Sequence, residues 1–187
     1  MTRLFIGLPL NSSLAGNLSE VQDFLTRNSF LIKTVQPENY HLTIKFLGEC
    51  EGGLARDVEK GFEALSLKPG DLSYALTGLG SFPDLKRATV LWCGLETDMQ
   101  RLQSLHGDIE KFAASLGFPR EKKLLVPHLT LGRVRKGRKL TGEIISFFEK
   151  NRNSRFGESS FDKMILYASR LTPGGPVYQP LKTLHLS

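Results

Sequence analysis

Two of the chain's four histidines occur in a repeated tripeptide, His41-Leu42-Thr43 and His128-Leu129-Thr130, each followed by another aliphatic residue, Ile44 or Leu131. In an extended strand successive side chains alternate between faces, so His41 and Thr43 share one face while Leu42 and Ile44 share the other. The second copy reads the same way. Each copy presents an imidazole beside a hydroxyl and buries an aliphatic pair behind them. Imidazoles titrate near neutrality, so two that face each other can serve at one pH as general base and general acid. The neighbouring hydroxyls can donate hydrogen bonds to oxygens whose charge grows in a transition state. A lone histidine in a strand is ordinarily structural, which is the reading for His106 and His185; duplication of the motif reverses it for His41 and His128.

The elements around the motif repeat with it. The histidines stand 87 residues apart. The same shift lays Leu4-Phe5-Ile6-Gly7-Leu8 on Leu91-Trp92-Cys93-Gly94-Leu95, with three of five positions identical. It also lays Leu18 on Leu105, Asp23 on Glu110 and Leu25 on Phe112. A strand, a helix and a His strand therefore share one register, over about residues 4–48 and 91–135. That period is too long for a solenoid, whose units run about 20–50 residues. The expectation is one domain over 1–187 with two pseudo-symmetric lobes, each supplying one His and one Thr to a shared cleft.

Alternation of Leu4, Ile6 and Leu8 predicts a strand over 3–9. A helix follows from a cap at Asn11 or Ser12 to about Asn28, with Leu14, Leu18, Val21 and Leu25 at helical spacing. Further strands are expected at 30–35, 40–47, 72–79, 88–95, 124–134, 161–169 and 177–186, with helices at 54–67, 99–116 and 140–151. Gly80-Ser81-Phe82-Pro83-Asp84 reads as a loop, and Pro173-Gly174-Gly175-Pro176 as a hairpin turn. Short, hairpin-like links predict an α+β fold of mainly antiparallel sheet with outer helices around a central cleft. The run Arg133 to Lys139 holds five basic residues in seven, either a solvated loop or a phosphate contact.

Composition sets the class. At 187 residues, 40% hydrophobic and 24% charged, this is an ordinary globular chain. No apolar run is long enough to span a bilayer and no signal peptide is evident, so a cytoplasmic protein without membrane partners is expected, with monomer as the default state. Cys50 and Cys93 have no metal-like spacing and read as two structural thiols in a reducing compartment. A net charge of +6 favours phosphate-bearing partners.

Paired His-x-Thr motifs at this spacing resemble the two-histidine phosphoesterase superfamily, and within it the LigT-type RNA 2′,3′-cyclic phosphodiesterases, historically called 2′-5′ RNA ligases. The resemblance runs nearly end to end. Arg3 to Pro9 resembles the opening strand, Pro37-Glu38-Asn39-Tyr40-His41-Leu42-Thr43-Ile44-Lys45-Phe46-Leu47-Gly48 the first signature, and Pro127-His128-Leu129-Thr130-Leu131-Gly132-Arg133 the second. Gly78 to Pro83 with Val90-Leu91-Trp92 is similar to the middle segment, and Leu166-Tyr167 through Tyr178 to the tail. The chain departs from the family at Phe30-Leu31-Ile32-Lys33, where a Trp is usual.

The resemblance implies a LigT-like fold and hydrolysis of RNA 2′,3′-cyclic phosphate ends, or of cyclic nucleotides, to 2′-phosphomonoesters, with no metal and no cofactor. His41 is expected as acid on the leaving 3′ oxygen and His128 as base on water, a pairing the near-symmetry leaves open to exchange. Thr43 and Thr130 would bond the non-bridging oxygens. Arg133 resembles the family's phosphate-binding Arg, although strict alternation puts it on the face opposite His128, so it needs a bulge or the strand end to reach the cleft. Lys45 alternates onto the His41 face and reads as a cleft cation or a surface charge. Phe82 reads as a base-stacking or loop-packing ring, and Arg87 as a contact to a second phosphate. Reversible 2′-5′ RNA ligation and RNA or nucleotide binding without turnover stand as alternatives. A metal-dependent nuclease would need clustered carboxylates, and the flanks supply mainly Glu38 and Glu49.

Overall fold

The computed structural model describes residues 1–121, 124–172 and 175–186. Leu4, Ile6 and Leu8 are fully buried on one face of β1 (Thr2–Pro9), as their alternation requires. The Asn11 side chain then accepts from the Ser13 amide at 3.1 Å. It caps an irregular helical run: α1 (Ser12–Ala15), a 3-10 turn over Gly16–Leu18, and α2 (Ser19–Arg27). One continuous helix was the expectation; its inward residues Leu14, Leu18, Val21 and Leu25 are nevertheless the buried ones. β2 (Ile32–Thr34) and a 3-10 turn over Pro37–Asn39 lead into β3 (His41–Cys50). After α3 (Gly52–Glu63) come β4 (Ser73–Phe82) and β5 (Val90–Thr97), then α4 (Met99–Ser115), whose N-terminus is capped by Asp98. β6 (His128–Val134), α5 (Gly142–Lys150), β7 (Arg155–Ser160), β8 (Lys163–Thr172) and β9 (Gly175–His185) complete the chain.

Further elements differ from expectation: the second His strand begins at His128 rather than at 124. Gly80 to Phe82 are not loop: they stay paired with Trp92, Leu91 and Val90 and extend β4. β7 lacks apolar alternation, and it exists because its backbone completes the edge of the sheet against β4. The hairpin turn expected at 173–176 falls partly outside the described residues; β8 and β9 pair up to Thr172↔Gly175.

Among the described residues nine strands form one sheet in the order β7-β4-β5-β6-β3-β1-β8-β9, with β2 added on β6, and every pairing is antiparallel. The fold is α+β, and the two His strands lie at its centre. Outward from them stand β5 and β1, then β4 and β8, then β7 and β9, so three strands lie on either side of the central pair. One contiguous core joins the aliphatic face of the sheet to the helices through residues such as Leu18, Leu25, Leu102, Ile109, Ile144 and Phe148. Leu42 and Leu129 pair directly across β3 and β6, both essentially inaccessible. Full burial of such a side chain is worth about 1.5–3 kcal/mol, and a one-residue slip would drive His41 and Thr43 into the core instead. Among the described residues no helix is long and apolar enough to cross a membrane.

Candidate active site

A cleft opens over the centre of the sheet, on the face opposite the helices, and His41, Thr43, His128 and Thr130 all line it. β3 and β6 run antiparallel about Leu42↔Leu129, a register that sets His41 level with Thr130 and Thr43 level with His128. Each imidazole therefore has one hydroxyl beside it on its own strand and another across the junction. The cleft encloses about 140 Å³, below the few hundred Å³ of a pocket that swallows a drug-sized ligand. It accommodates a phosphate and adjoining sugar atoms, with the rest of a nucleotide chain outside.

The two imidazoles are held identically. Nδ1 of His41 lies 2.7 Å from the Asn39 carbonyl, and Nδ1 of His128 lies 2.7 Å from the Val126 carbonyl. A carbonyl only accepts, so each Nδ1 carries the hydrogen and donates it, which leaves Nε2 as the working nitrogen. Both rings titrate below the ordinary histidine value. For His41 burial is the main cause, with the charge of His128 adding to it and the Asn39 bond opposing. For His128 burial again dominates, the Val126 bond opposes, and the Arg133 guanidinium adds to the depression. Aromatic rings frame both: Phe5 is 4.9 Å and Tyr178 5.3 Å from the His41 ring, and Phe82 is 5.0 Å from that of His128. Tyr178 and Phe82 meet their histidines edge-on at 87° and 88°.

A bulge follows each motif and decides what else reaches the cleft. Against β1 the register slips between Thr43 and Lys45, leaving Ile44 unopposed; against β5 it slips between Thr130 and Gly132, leaving Leu131 unopposed. One extra residue reverses the alternation beyond it. In β6 this brings Arg133 round to the His128 face, where it lines the cleft. In β3 it has the opposite consequence for Lys45, which turns inward to 2% exposure. Its Nζ sits 2.6 Å from Glu110 Oε1 on α4 and donates to the Pro119 carbonyl at 2.9 Å. Lys45 is therefore neither a cleft cation nor a surface charge but half of a buried ion pair. The residue that emerges in its place is Phe46, 55% exposed and lining the cleft.

Of the remaining expected residues, Phe82 lines the cleft as the last residue of β4. Arg87 does not reach it. In the 3-10 turn Leu85–Arg87 its guanidinium is clamped by Asp84, at 2.9 and 2.6 Å, and faces solvent. Asp84 three residues earlier was the available signal, since a capping acid captures such a side chain locally. Sequence reasoning missed Lys33, Phe46 and Tyr178, all cleft-lining. Phe46 is legible from the repeat, because the 87-residue shift carries it onto Arg133. Lys33 needs topology: β2 pairs with β6 and sets it directly opposite Arg133. Both line the cleft, and like charges directly opposite on a ladder repel, so the pair favours an anion at this place. Among the described residues no acidic side chain lines the cleft, and no group of three or more His, Cys, Asp or Glu side chains is placed to hold a metal ion.

The family described as LigT like Phosphoesterase matches residues 8–92 and 95–178, two segments that begin 87 residues apart and each contain one His strand. An Aquifex aeolicus protein named RNA 2′,3′-cyclic phosphodiesterase is 31% identical, covering 100% of this chain and 98% of its own length. A Methanocaldococcus jannaschii protein of the same name is 32% identical, over 96% of this chain and 98% of its own. Among solved structures, TT0787 of Thermus thermophilus superposes with a TM-score of 0.80 at 27% identity, covering 98% of this chain and 97% of that one. Escherichia coli LigT complexed with 3′-AMP superposes with a TM-score of 0.74 at 21% identity, over 100% and 98%; at that identity the likeness speaks for the fold.

Proposed function

The chain belongs to the LigT-like phosphoesterase family, and from that premise we propose that it hydrolyses RNA 2′,3′-cyclic phosphate ends to 2′-phosphomonoesters through its two histidines, without a metal. The observation that carries this reading is the matched pair of imidazoles, each with Nδ1–H tied to a carbonyl two residues back, which leaves Nε2 as the nitrogen available for proton transfer. Full-length relatives at about the same identity share one name, RNA 2′,3′-cyclic phosphodiesterase, which supports the choice of substrate.

In the reaction, water attacks phosphorus while the bond to the 3′ oxygen breaks. Nε2 of His128 takes the proton from water, and Nε2–H of His41 delivers one to the departing 3′ oxygen; exchange with solvent resets both rings. Attack and departure are in line, which is why the two nitrogens must stand on opposite sides of the phosphorus. Thr43 and Thr130 donate to the non-bridging oxygens, where charge accumulates, and Arg133 with Lys33 neutralises the phosphate. Phe82, and Phe46 with Tyr178, offer ring faces to the base and sugar. The cleft's own donors are two imidazoles, two hydroxyls, an ammonium and a guanidinium, a set suited to hydrogen-bond and cation chemistry.

Burial is the larger cause of the depression in both rings; the assignment of His128 as base takes its support from Arg133, since a neighbouring cation disfavours imidazolium. An anion arriving between the rings raises both proton affinities, and His41, with no guanidinium among the causes of its depression, takes up the proton as acid. We further read residues 1–187 as one two-lobed unit made from a duplicated half. The shared bulge after each motif and the two family segments support that origin.

The test is an RNA oligonucleotide ending in a 2′,3′-cyclic phosphate, incubated with the protein and EDTA, with product ends resolved by mass and phosphatase sensitivity. The expected product is a 2′-phosphate, lost by a factor of about 10²–10⁴ in His41→Ala and in His128→Ala. A 3′-phosphate product, or full activity in either variant, overturns the mechanism.

A further inference from the structure

The cleft chemistry leaves the basic run after β6 without a role. No Asp or Glu occurs between Glu121 and Glu143, while seven Lys and Arg do. The run starts inside the cleft, at Arg133, and continues outward as an ordered turn. The Arg138 amide donates to the Arg135 carbonyl at 2.9 Å, and Gly137 supplies the left-handed corner at φ 76°. Arg135 pins the turn beside β2: its amide donates to the Leu31 carbonyl at 2.8 Å and its Nε to the Ser29 carbonyl at 2.9 Å. Lys136, Arg138 and Lys139 are left exposed, and among the described residues no carboxylate pairs with them. With Lys33 opposite Arg133 at the entrance, positive charge runs unbroken from the imidazoles to the outer surface. Such a gathering is self-repelling and attracts a polyanion.

We propose that this turn binds the RNA strand upstream of its cyclic end. The terminal phosphate sits between the histidines, and the preceding backbone phosphates pass Lys33 and Arg133 to lie against Lys136, Arg138 and Lys139. The inference rests on the hydrolysis proposed above and narrows its substrate to an oligonucleotide end rather than a free cyclic mononucleotide. An anionic membrane would also be drawn to these charges. RNA is favoured because the run opens within the catalytic cleft, which a bilayer does not enter.

The experiment compares wild type with Lys136→Glu/Arg138→Glu/Lys139→Glu, leaving Gly137 and the pinning Arg135 in place. Substrates are a 2′,3′-cyclic mononucleotide and a ten-nucleotide single strand with the same end. For the oligonucleotide, kcat/KM is expected to fall at least about tenfold through KM. Its logarithmic salt dependence is expected to become shallower by about 2, at roughly 0.7 for each phosphate no longer neutralised. Turnover of the mononucleotide stays at the wild-type value. Equal losses on both substrates, or none on either, overturn the proposal. If wild type turns over neither substrate, the hydrolytic reading fails by itself. Fluorescence anisotropy of the labelled oligonucleotide then decides the surface: weaker, less salt-dependent binding by the variant upholds it, and unchanged binding overturns it. Binding of wild type to phosphatidylserine vesicles that is lost in the variant, with RNA binding intact, assigns the charges to a membrane and also overturns it.

Discussion

Replacing Lys45 by methionine tests the bulge that turns this residue away from the cleft. Methionine keeps the length of the stem and removes the charge. In the native protein the Lys45 ammonium, 2.6 Å from Glu110 Oε1, also donates to the Pro119 carbonyl, and Glu110 Oε2 accepts from the Glu121 amide at 3.1 Å. The side chains are 2% and 11% exposed, so removing one partner strands a carboxylate with little water to solvate it. Losses from breaking a buried pair run to about 3–5 kcal/mol, whereas replacing both partners by apolar residues is neutral or stabilising by about 1–4 kcal/mol. Urea denaturation at pH 7 should therefore show Lys45→Met strongly destabilised and Lys45→Met/Glu110→Leu largely restored.

The pH dependence has a defined sign. Burial raises the Glu110 pKa, but the bond from Lys45, the Glu121 amide and nearby positive charge outweigh it and hold the carboxyl below its ordinary value. A carboxyl depressed in the folded state stabilises above its unfolded pKa, about 4.3, and that contribution is lost as pH falls through the lower native value. The double variant should lack this acid loss. Because Lys45 faces away from the histidines, folded Lys45→Met at low temperature should retain kcat/KM on a cyclic mononucleotide within about threefold, a change of well under 1 kcal/mol in barrier. An unchanged unfolding free energy with kcat/KM lowered at least about tenfold would return the ammonium to the cleft, and the bulge assignment would be wrong.

Two further outcomes follow from the histidines. Removing the guanidinium in Arg133→Gln should let the His128 pKa rise, moving the limb of the kcat/KM profile that reports the free base to higher pH, while Arg133→Lys holds it in place; a limb that does not move assigns the base elsewhere. Both imidazoles titrate below the ordinary value, mainly through burial, so unfolded chains bind protons that the native state refuses, and stability should decline as pH falls below about 6.5. Thermal midpoints against pH should show a shallower decline in His41→Gln, and an equal or steeper one contradicts the burial argument.

What could be read from sequence was whatever depends on strict alternation. Leu4, Ile6, Leu42 and Leu129 are buried because each strand has one apolar face, and the same period placed His41 with Thr43 and His128 with Thr130. The failures begin where alternation breaks. Nothing in Thr43-Ile44-Lys45 marks a bulge: Ile44 is an ordinary strand residue, and the slip is imposed by pairing with β1. The second copy carries a hint in Gly132, whose missing side chain leaves room for β2, since a Cβ there would lie 2.8 Å from Ile32 Cγ2. Lys33 and Tyr178 were illegible for a different reason. Each comes from an element far along the chain whose neighbour is fixed only by sheet order. Arg87 failed through a local contact that outweighed the distant one assigned to it.

The bulge also marks where the two matching strands part. Two matching strands, paired about Leu42 and Leu129, give a cleft with one imidazole and one hydroxyl from each. The first residue to re-emerge after each bulge is where the copies part: Phe46 on the His41 strand and Arg133 on the His128 strand. On one side the emerging guanidinium, reinforced by Lys33 across the ladder, disfavours imidazolium. On the other, Phe5 and Tyr178 pack against the His41 ring, tilted and edge-on respectively, and contribute no positive charge. The pair that makes the cleft symmetrical is thus kept, and the pair just beyond it gives the two imidazoles different surroundings, with a guanidinium acting on His128 and none on His41. Arg133 is also where the basic turn begins, so the residue that distinguishes the second copy from the first also joins the cleft to the exposed Lys136, Arg138 and Lys139.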